Sequence, residues 1–156
     1  MNVQAVEPTQ DTAALLAGAQ FSDAFAIAIG APALDARQAA EKMLGRSPRW
    51  IGALMAVRDT IVAPFDLKTS SKKGNYPDSI GIFPVLSQSP GRLVAGFDDR
   101  HLDFRVVVDV APSGAGQEVT ATTLVLTHNR LGKVYLAIIL PFHRLVVRSL
   151  LRQVAV

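Results

Sequence analysis

Alternating apolar and polar side chains predict β-strands along much of the chain. Between residues 102 and 110 every second side chain is apolar, and the positions between them include Asp103 and Arg105. Because successive side chains of a strand point to opposite faces, this pattern is typical of a strand with one buried face. Weaker patterns predict further strands at Phe21–Ile29 and at residues 79–87, 92–97 and 118–128. Short connections favour an antiparallel meander, and Pro84 favours an edge position or a bulge for its strand.

A helical period replaces the alternation after the first predicted strand. Asp35 is a candidate N-cap with Gln38 as its capping-box partner, and the apolar side chains that follow recur at helical spacing until Gly45. Ser47 then precedes a proline at the first position of a second short helix over residues 47–64. The sequence therefore predicts two short helices in series.

The C-terminal segment predicts one long amphipathic helix over residues 130–154, capped by Asn129. Arg144, Arg148 and Arg152 recur every four residues and therefore share one stripe of the helix. The large apolar side chains lie mainly away from that stripe. Pro141 interrupts the segment and is expected to kink the helix.

The order of these elements predicts an α+β fold of the helix-grip type. One strand and two short helices are followed by four meandering strands and the long helix. A curved antiparallel sheet has an apolar concave face that must be covered, and the C-terminal helix is long enough to cover it. Incomplete closure would leave an apolar cavity between the sheet and the helix. We expect a mobile lead over residues 1–20 and a single domain over residues 21–156.

Several local strings resemble a bacterial family of unknown function. They are residues 96–105 (GFDDRHLDFR), residues 127–129 (THN) and residues 141–144 (PFHR), together with Gly132 and Tyr135. That family is identified as a member of the START-like (SRPBCC) helix-grip superfamily, in which a sheet wraps a C-terminal helix around an apolar ligand cavity. Its members are similar to domains found behind short-chain-dehydrogenase-like NAD(P)-binding modules. The resemblance covers residues 20–152 and implies the fold. It implies no dinucleotide cofactor, because the chain lacks a GxGxxG motif before a helix.

Composition excludes several classes of protein. Of the 156 residues, 49% are hydrophobic and 19% are charged, which excludes an intrinsically disordered chain. The absence of cysteine excludes a disulfide scaffold, a thiolate nucleophile and a thiolate metal site. The first 20 residues hold no Lys or Arg. The longest uncharged apolar run near the C-terminus, residues 134–142, is far shorter than the ~20 residues of a bilayer span. We therefore expect no signal peptide, no transmembrane segment and a cytoplasmic location.

Charge is distributed unevenly along the chain. Residues 1–45 hold two basic and five acidic side chains, for a net charge of −3, whereas residues 129–156 hold five basic side chains and no acidic one. Nucleic acid is not an expected partner, because the basic residues are not interleaved with aromatic side chains. A basic helix is often simply a solvated face. It also suits anionic lipid or an acidic protein surface, so a peripheral membrane or protein-interaction module is an alternative function.

Residues 98–105 concentrate charged side chains between two predicted strands. As a functional site, His101 would act as a general base with Asp99 or Asp103, and Arg105 would hold a carboxylate. As structural groups, the same side chains would orient a tight hairpin and pair across strands. An enzyme of the lyase, isomerase or hydrolase type that uses Asp99, His101 and Asp103 is therefore a second alternative. We favour a protein without catalysis and assign no catalytic residue.

The histidines do not predict a metal site. His101, His128 and His143 lack the spacing of a helical pair of ligands, so no metal and no other cofactor is expected. His128 is interpreted as helping to end its strand. His143 follows Pro141, and we interpret it as a donor to the backbone carbonyl that the proline leaves free.

Aromatic side chains complete the predicted ligand site. Phe97 and Phe104 occupy inward strand positions and would line the cavity with Tyr135, whose hydroxyl would fix the polar end of a ligand. The favoured function is the binding of a small apolar or amphipathic molecule, and a homodimer is left open. The residues expected at the ligand site are Phe97, Asp99, His101, Asp103, Phe104, Arg105, His128, Tyr135 and Phe142.

Overall fold

The computed structural model describes residues 3–30, 33–45, 78–80, 83–98 and 101–155. The predicted second helix over residues 47–64 lies outside this part of the chain. So does Asp99 of the predicted charged cluster.

An antiparallel sheet dominates the described residues. Its lateral order is β1-β2-β7-β6-β5-β4-β3, so the sheet is a meander from β3 to β7 with β2 added beside β7. The sheet is curved, and together with the helices it confirms the predicted α+β class. The seven strands are β1 (Gln4–Val6), β2 (Phe21–Ile29), β3 (Ser79–Ile80), β4 (Phe83–Gln88), β5 (Arg92–Asp98), β6 (Leu102–Ser113) and β7 (Gly116–Thr127).

The predicted strand over residues 79–87 is two strands at one edge of this sheet. Pro84 lies opposite Ser79 in the pairing of β3 with β4. The register of β4 on β5 shifts between Val85 and Ser87, which marks a bulge or irregularity. The irregularity that proline favours is therefore present in β4, but β4 is not an edge strand, because it pairs with β3 on one side and with β5 on the other.

One face of the sheet, here called the inner face, carries the main core. A single row across the strands joins Phe25, Ala121, Val108 and Leu93 through the pairings of β2 with β7, β7 with β6 and β6 with β5. All four side chains are at most 1% exposed. The even-numbered side chains of β6 therefore lie on the inner face, as the alternation in its sequence predicts.

The helix α2 (Ala36–Leu44) covers part of the inner face. Asp35 accepts a hydrogen bond from the Gln38 backbone, and the Gln38 side chain accepts one from the Asp35 backbone, so the predicted capping box is present. Ala36, Ala39, Ala40 and Met43 are buried against the sheet. Small side chains allow this helix to lie close to β5 and β6.

The helix α3 (Arg130–Arg152) begins at Asn129, whose side chain accepts a hydrogen bond from the Gly132 backbone, as predicted. The helix continues through Pro141. Only its C-terminal third belongs to the core, where Val147, Leu150 and Leu151 are buried beside α2 and β2. Together with the short turn that follows it, α3 is long and apolar enough to cross a membrane. Core helices of soluble proteins can have the same length and hydropathy. The expectation that no transmembrane segment exists therefore stays a prediction.

The N-terminal segment differs from the predicted lead, because it packs against the domain. Residues 4–6 form β1 at the edge of the sheet, and α1 (Gln10–Ala13) leads into a 3₁₀ turn that contacts β7. Thr12 and Leu16 are buried, at 1% and 8% exposure. The Arg92 guanidinium, on the outer face opposite the main core, contacts the Thr12 hydroxyl at 2.9 Å and both Asp109 carboxylate oxygens, at 2.6 and 3.2 Å.

Candidate functional site

The predicted charged cluster is divided between separate pairs. On the outer face, Nη1 of Arg105 lies 2.7 Å from Oδ1 of Asp98 and 2.9 Å from the Phe104 carbonyl oxygen. Arg105 points away from the inner face because it alternates with Phe104 along β6. Arg105 therefore orients the turn end of its own hairpin, and the structure does not direct it toward a ligand under α3.

Two of the predicted site histidines, His101 and His128, lie where the end of the sheet meets the start of α3. Nε2 of His128 lies 2.9 Å from Oδ1 of Asp103, which is on the outer face. Nδ1 of His101 lies 2.9 Å from Nδ2 of Asn129, and His101 is only 7% exposed. Asp103 thus contacts His128 on the outer face, whereas His101 contacts the residue that caps α3.

The first turn of α3 approaches His101 very closely. A Cβ atom added to Gly132 would lie 2.1 Å from the His101 carbonyl oxygen. Real side chains do not tolerate so short a contact with backbone, so the glycine permits this junction. The same carbonyl accepts a hydrogen bond from the His128 backbone at 2.9 Å. These contacts fix where α3 starts relative to the sheet.

Three phenylalanine rings form an aromatic cluster on the inner face. The Phe104 ring is stacked with Phe83 at a centroid distance of 5.4 Å and with Phe97 at 5.7 Å. All three rings are half-buried, in contrast to the fully buried row around Val108. Gly96, with φ of +150°, lies opposite Arg105 and allows β5 to approach the Phe104 carbonyl. The structure therefore brings together Phe97 and Phe104, as predicted, and adds Phe83.

A carboxylate and an imidazole meet between the sheet and α3 beside this cluster. Nε2 of His143 lies 3.1 Å from Oδ1 of Asp23, and the two side chains are 13% and 21% exposed. The Phe21 ring packs edge-on against the imidazole at 5.5 Å. His143 thus contacts β2, and not the carbonyl freed by Pro141, so its interpretation from sequence was wrong. The position of Asp23 on the apolar side of β2 was the available signal for this pair.

Thr127 places a further polar group on the inner face. It follows Val125 on the same face of β7, and Val125 lies opposite Phe104. Thr127 is 6% exposed, and its Oγ1 atom is buried with no hydrogen-bond partner among the described residues. Most buried polar groups in proteins are hydrogen-bonded, so this hydroxyl requires an explanation.

The remaining predicted site residues lie on α3. Tyr135 is half-buried, and Phe142 is 48% exposed. Within the part of the chain that the structure describes, no three His, Asp or Glu side chains come close enough together to hold a metal ion.

A family model matches residues 15–150, and its description is a protein family of unknown function, DUF2867. The chain belongs to the DUF2867 family. Searches of the curated proteins and of the solved structures gave no match. The span shared with the DUF2867 model includes the aromatic cluster, the Asp23–His143 pair and Thr127, so the whole candidate site lies in the part of the chain that defines the family.

Proposed function

We propose that this DUF2867 protein binds a small apolar or amphipathic molecule between the inner face of the sheet and α3. In this proposal the fold is a helix grip, and α3 closes over the sheet at its C-terminal third. The aromatic cluster of Phe83, Phe97 and Phe104 provides the apolar surface of the site. No catalytic step is part of the proposal.

The observation that carries the proposal is the contrast between the two ends of the inner face. Around Val108 the row of side chains is at most 1% exposed, whereas the three stacked rings around Phe104 are only half-buried. Ligand sites are lined mainly by apolar and aromatic side chains with a few polar groups. The half-buried rings have this composition together with the buried Thr127 hydroxyl, which has no hydrogen-bond partner in the described part of the chain.

The polar side chains of the site indicate which chemical group the ligand carries at its polar end. The Thr127 hydroxyl donates one hydrogen bond, so it suits a carbonyl or carboxylate oxygen. The start of α3 lies beside Thr127, and the N-terminal end of a helix favours negative charge. Asp23 lies two residues beyond Phe21 on β2. Its carboxylate would repel a carboxylate of the ligand, so the ligand would not place its oxygen-bearing end on the β2 side. We therefore favour an acyl-chain-like ligand whose oxygen-bearing end lies toward Thr127.

Fluorescence titration with cis-parinaric acid, a fluorescent fatty acid, tests this proposal on protein freed of co-purified lipid. We expect saturable binding that weakens about fivefold in Phe104→Leu and in Phe97→Leu, since an aromatic contact contributes roughly 1 kcal/mol. Leu15→Ala is the control, because Leu15 is an exposed apolar residue of the 3₁₀ turn that packs on β7. Circular dichroism establishes that each variant is folded. Absence of saturable binding to the folded wild-type protein would refute the proposal.

A further inference from the structure

The solvent side of α3 carries a row of large apolar side chains. Val134, Ile138, Phe142 and Leu145 are 55%, 54%, 48% and 59% exposed. At 3.6 residues per turn their side chains project within an arc of about 80° over a length of about 17 Å. We call these four residues the exposed stripe. Single exposed apolar residues are ordinary, but an aligned group marks an interaction surface.

Cations that have no ion-pair partner among the described residues lie along one side of the exposed stripe and beyond its two ends. Lys133 and Arg144 border one side of it, and Arg130 and Arg152 continue its line beyond the two ends. All four side chains are exposed, and none makes an ion pair with another described residue. No acidic residue occurs in the sequence after Glu118. The surface of α3 is therefore both apolar and positively charged.

Arg148 does not share this exposed position, although it belongs to the predicted arginine stripe. Its guanidinium lies 5.2 Å from the centre of the Phe25 ring, and Nη1 lies 3.4 Å from the Val3 carbonyl oxygen. Arg148 thus ties α3 to the sheet, and the arginines available to a partner are Arg144 and Arg152.

We propose that α3 docks in the plane of an anionic lipid surface. The exposed stripe would enter the boundary between headgroups and acyl chains, and the surrounding cations would contact lipid phosphates and carboxylates, as in interfacial amphipathic helices. The C-terminal third of α3 would remain in the protein core through Val147, Leu150 and Leu151. Only 17% of the most apolar 18-residue stretch of this helix is buried, so docking needs no rearrangement of the core. This inference is independent of the proposed ligand site.

Charge favours lipid over a second copy of the chain as the occupant. Two copies that met through α3 would bring together two surfaces with only positive charges, and like charges at an interface are unfavourable. An anionic membrane instead complements the cations and accepts the apolar stripe.

Co-sedimentation with vesicles tests the proposal on the full chain. One set of vesicles is pure phosphatidylcholine, and the other contains about one third phosphatidylserine, to reproduce an anionic leaflet. We expect binding to the anionic vesicles that weakens with added salt. Leu145→Asp should lower the partition constant at least about tenfold, and the double variant Arg144→Gln/Arg152→Gln should lower it about 30-fold.

Leu86→Asp is the matched control, because it makes the same chemical change at an exposed leucine of β4 and should leave vesicle binding unchanged. Circular dichroism and sedimentation establish folding and mass for every variant. Equal sedimentation of wild type and Leu145→Asp would overturn the proposal. A dimer that forms through α3 in place of vesicle binding would overturn it as well.

Discussion

Nε2 of His143 lies 3.1 Å from Oδ1 of Asp23, which joins the middle of α3 to the inner face of β2. Both side chains are mostly buried, so the contact is stronger than an exposed ion pair. We expect Asp23→Ala and His143→Ala each to lower the free energy of unfolding by about 1–2 kcal/mol. A double-mutant cycle by urea unfolding measures the coupling, which should be about 1 kcal/mol. Additive effects of the two substitutions would show that the contact has no energetic role.

Thr127→Val separates ligand binding from stability. The substitution replaces a buried hydroxyl that has no partner among the described residues by a methyl group of similar size. Because it removes an unsatisfied polar atom, we expect unfolding of the ligand-free protein to occur at the same or a higher temperature. Affinity for cis-parinaric acid should nevertheless fall about fivefold, since a hydrogen bond to the ligand is lost. Thr120→Val, on the outer face of the same strand, should leave affinity unchanged. Loss of stability without loss of affinity would contradict this role.

Gly132→Ala should destabilise the protein, although alanine is the better helix former. In an ordinary helix the change would stabilise by up to about 1 kcal/mol. Here the new Cβ would lie 2.1 Å from the His101 carbonyl oxygen, so the start of α3 must shift. We expect a net loss of about 1–3 kcal/mol in urea unfolding. Gly30→Ala, where nothing lies within 4 Å of the added atom, is the control. Equal effects of the two substitutions would contradict the close junction.

Arg92→Leu should release the N-terminal segment from the outer face. The guanidinium links α1 to β6 through Thr12 and Asp109. The hydrogen bond to the Asp109 carboxylate is the main cause that raises the pKa of Arg92. We expect faster hydrogen exchange at residues 9–16 and a loss of about 1–3 kcal/mol, typical of hydrogen bonds to charged groups. Unchanged exchange in this segment would show that other contacts hold it.

Arg37 of α2 forms an ion pair with Asp78, the residue before β3, and this pair predicts a pH dependence at acidic pH. The hydrogen bond from Arg37 lowers the pKa of the Asp78 carboxyl below 3.8. The pair therefore contributes stability above about pH 4, and that contribution is lost as pH falls through the lowered pKa. Unfolding of Asp78→Asn and wild type should differ most near neutral pH and converge in acid. Because the pair is exposed, we expect a small difference. A difference that grows on acidification would contradict the assignment.

Local signals in the sequence predicted most of the described fold. The alternation in β6, the capping box at Asp35 and the cap at Asn129 depend on residues close in the chain, and the structure has all three. The N-terminal segment was missed because its anchors, such as Thr12 bonded to Arg92, depend on residues distant in sequence.

The candidate site was only partly predictable for the same reason. Phe97 and Phe104 follow from strand alternation, which is a local property. The Asp23–His143 contact joins residues 120 positions apart, so the position of Asp23 on the apolar side of β2 signals a polar contact there but does not identify His143 as the partner. Conversely, Asp103 and Arg105 are close to Phe104 in sequence but lie on the opposite face of the sheet, where they pair with His128 and Asp98.

Chemical-shift mapping by NMR with dodecanoate, used below its micelle concentration, tests the ligand site most directly. The account predicts saturable shifts of the ring signals of Phe83, Phe97 and Phe104 and of the Thr127 methyl group. Signals of Val134, Ile138 and Leu145 should stay unchanged, because these residues belong to the exposed stripe on the solvent side of α3. Shifts confined to that stripe, or no shifts at all, would contradict a site on the inner face of the sheet.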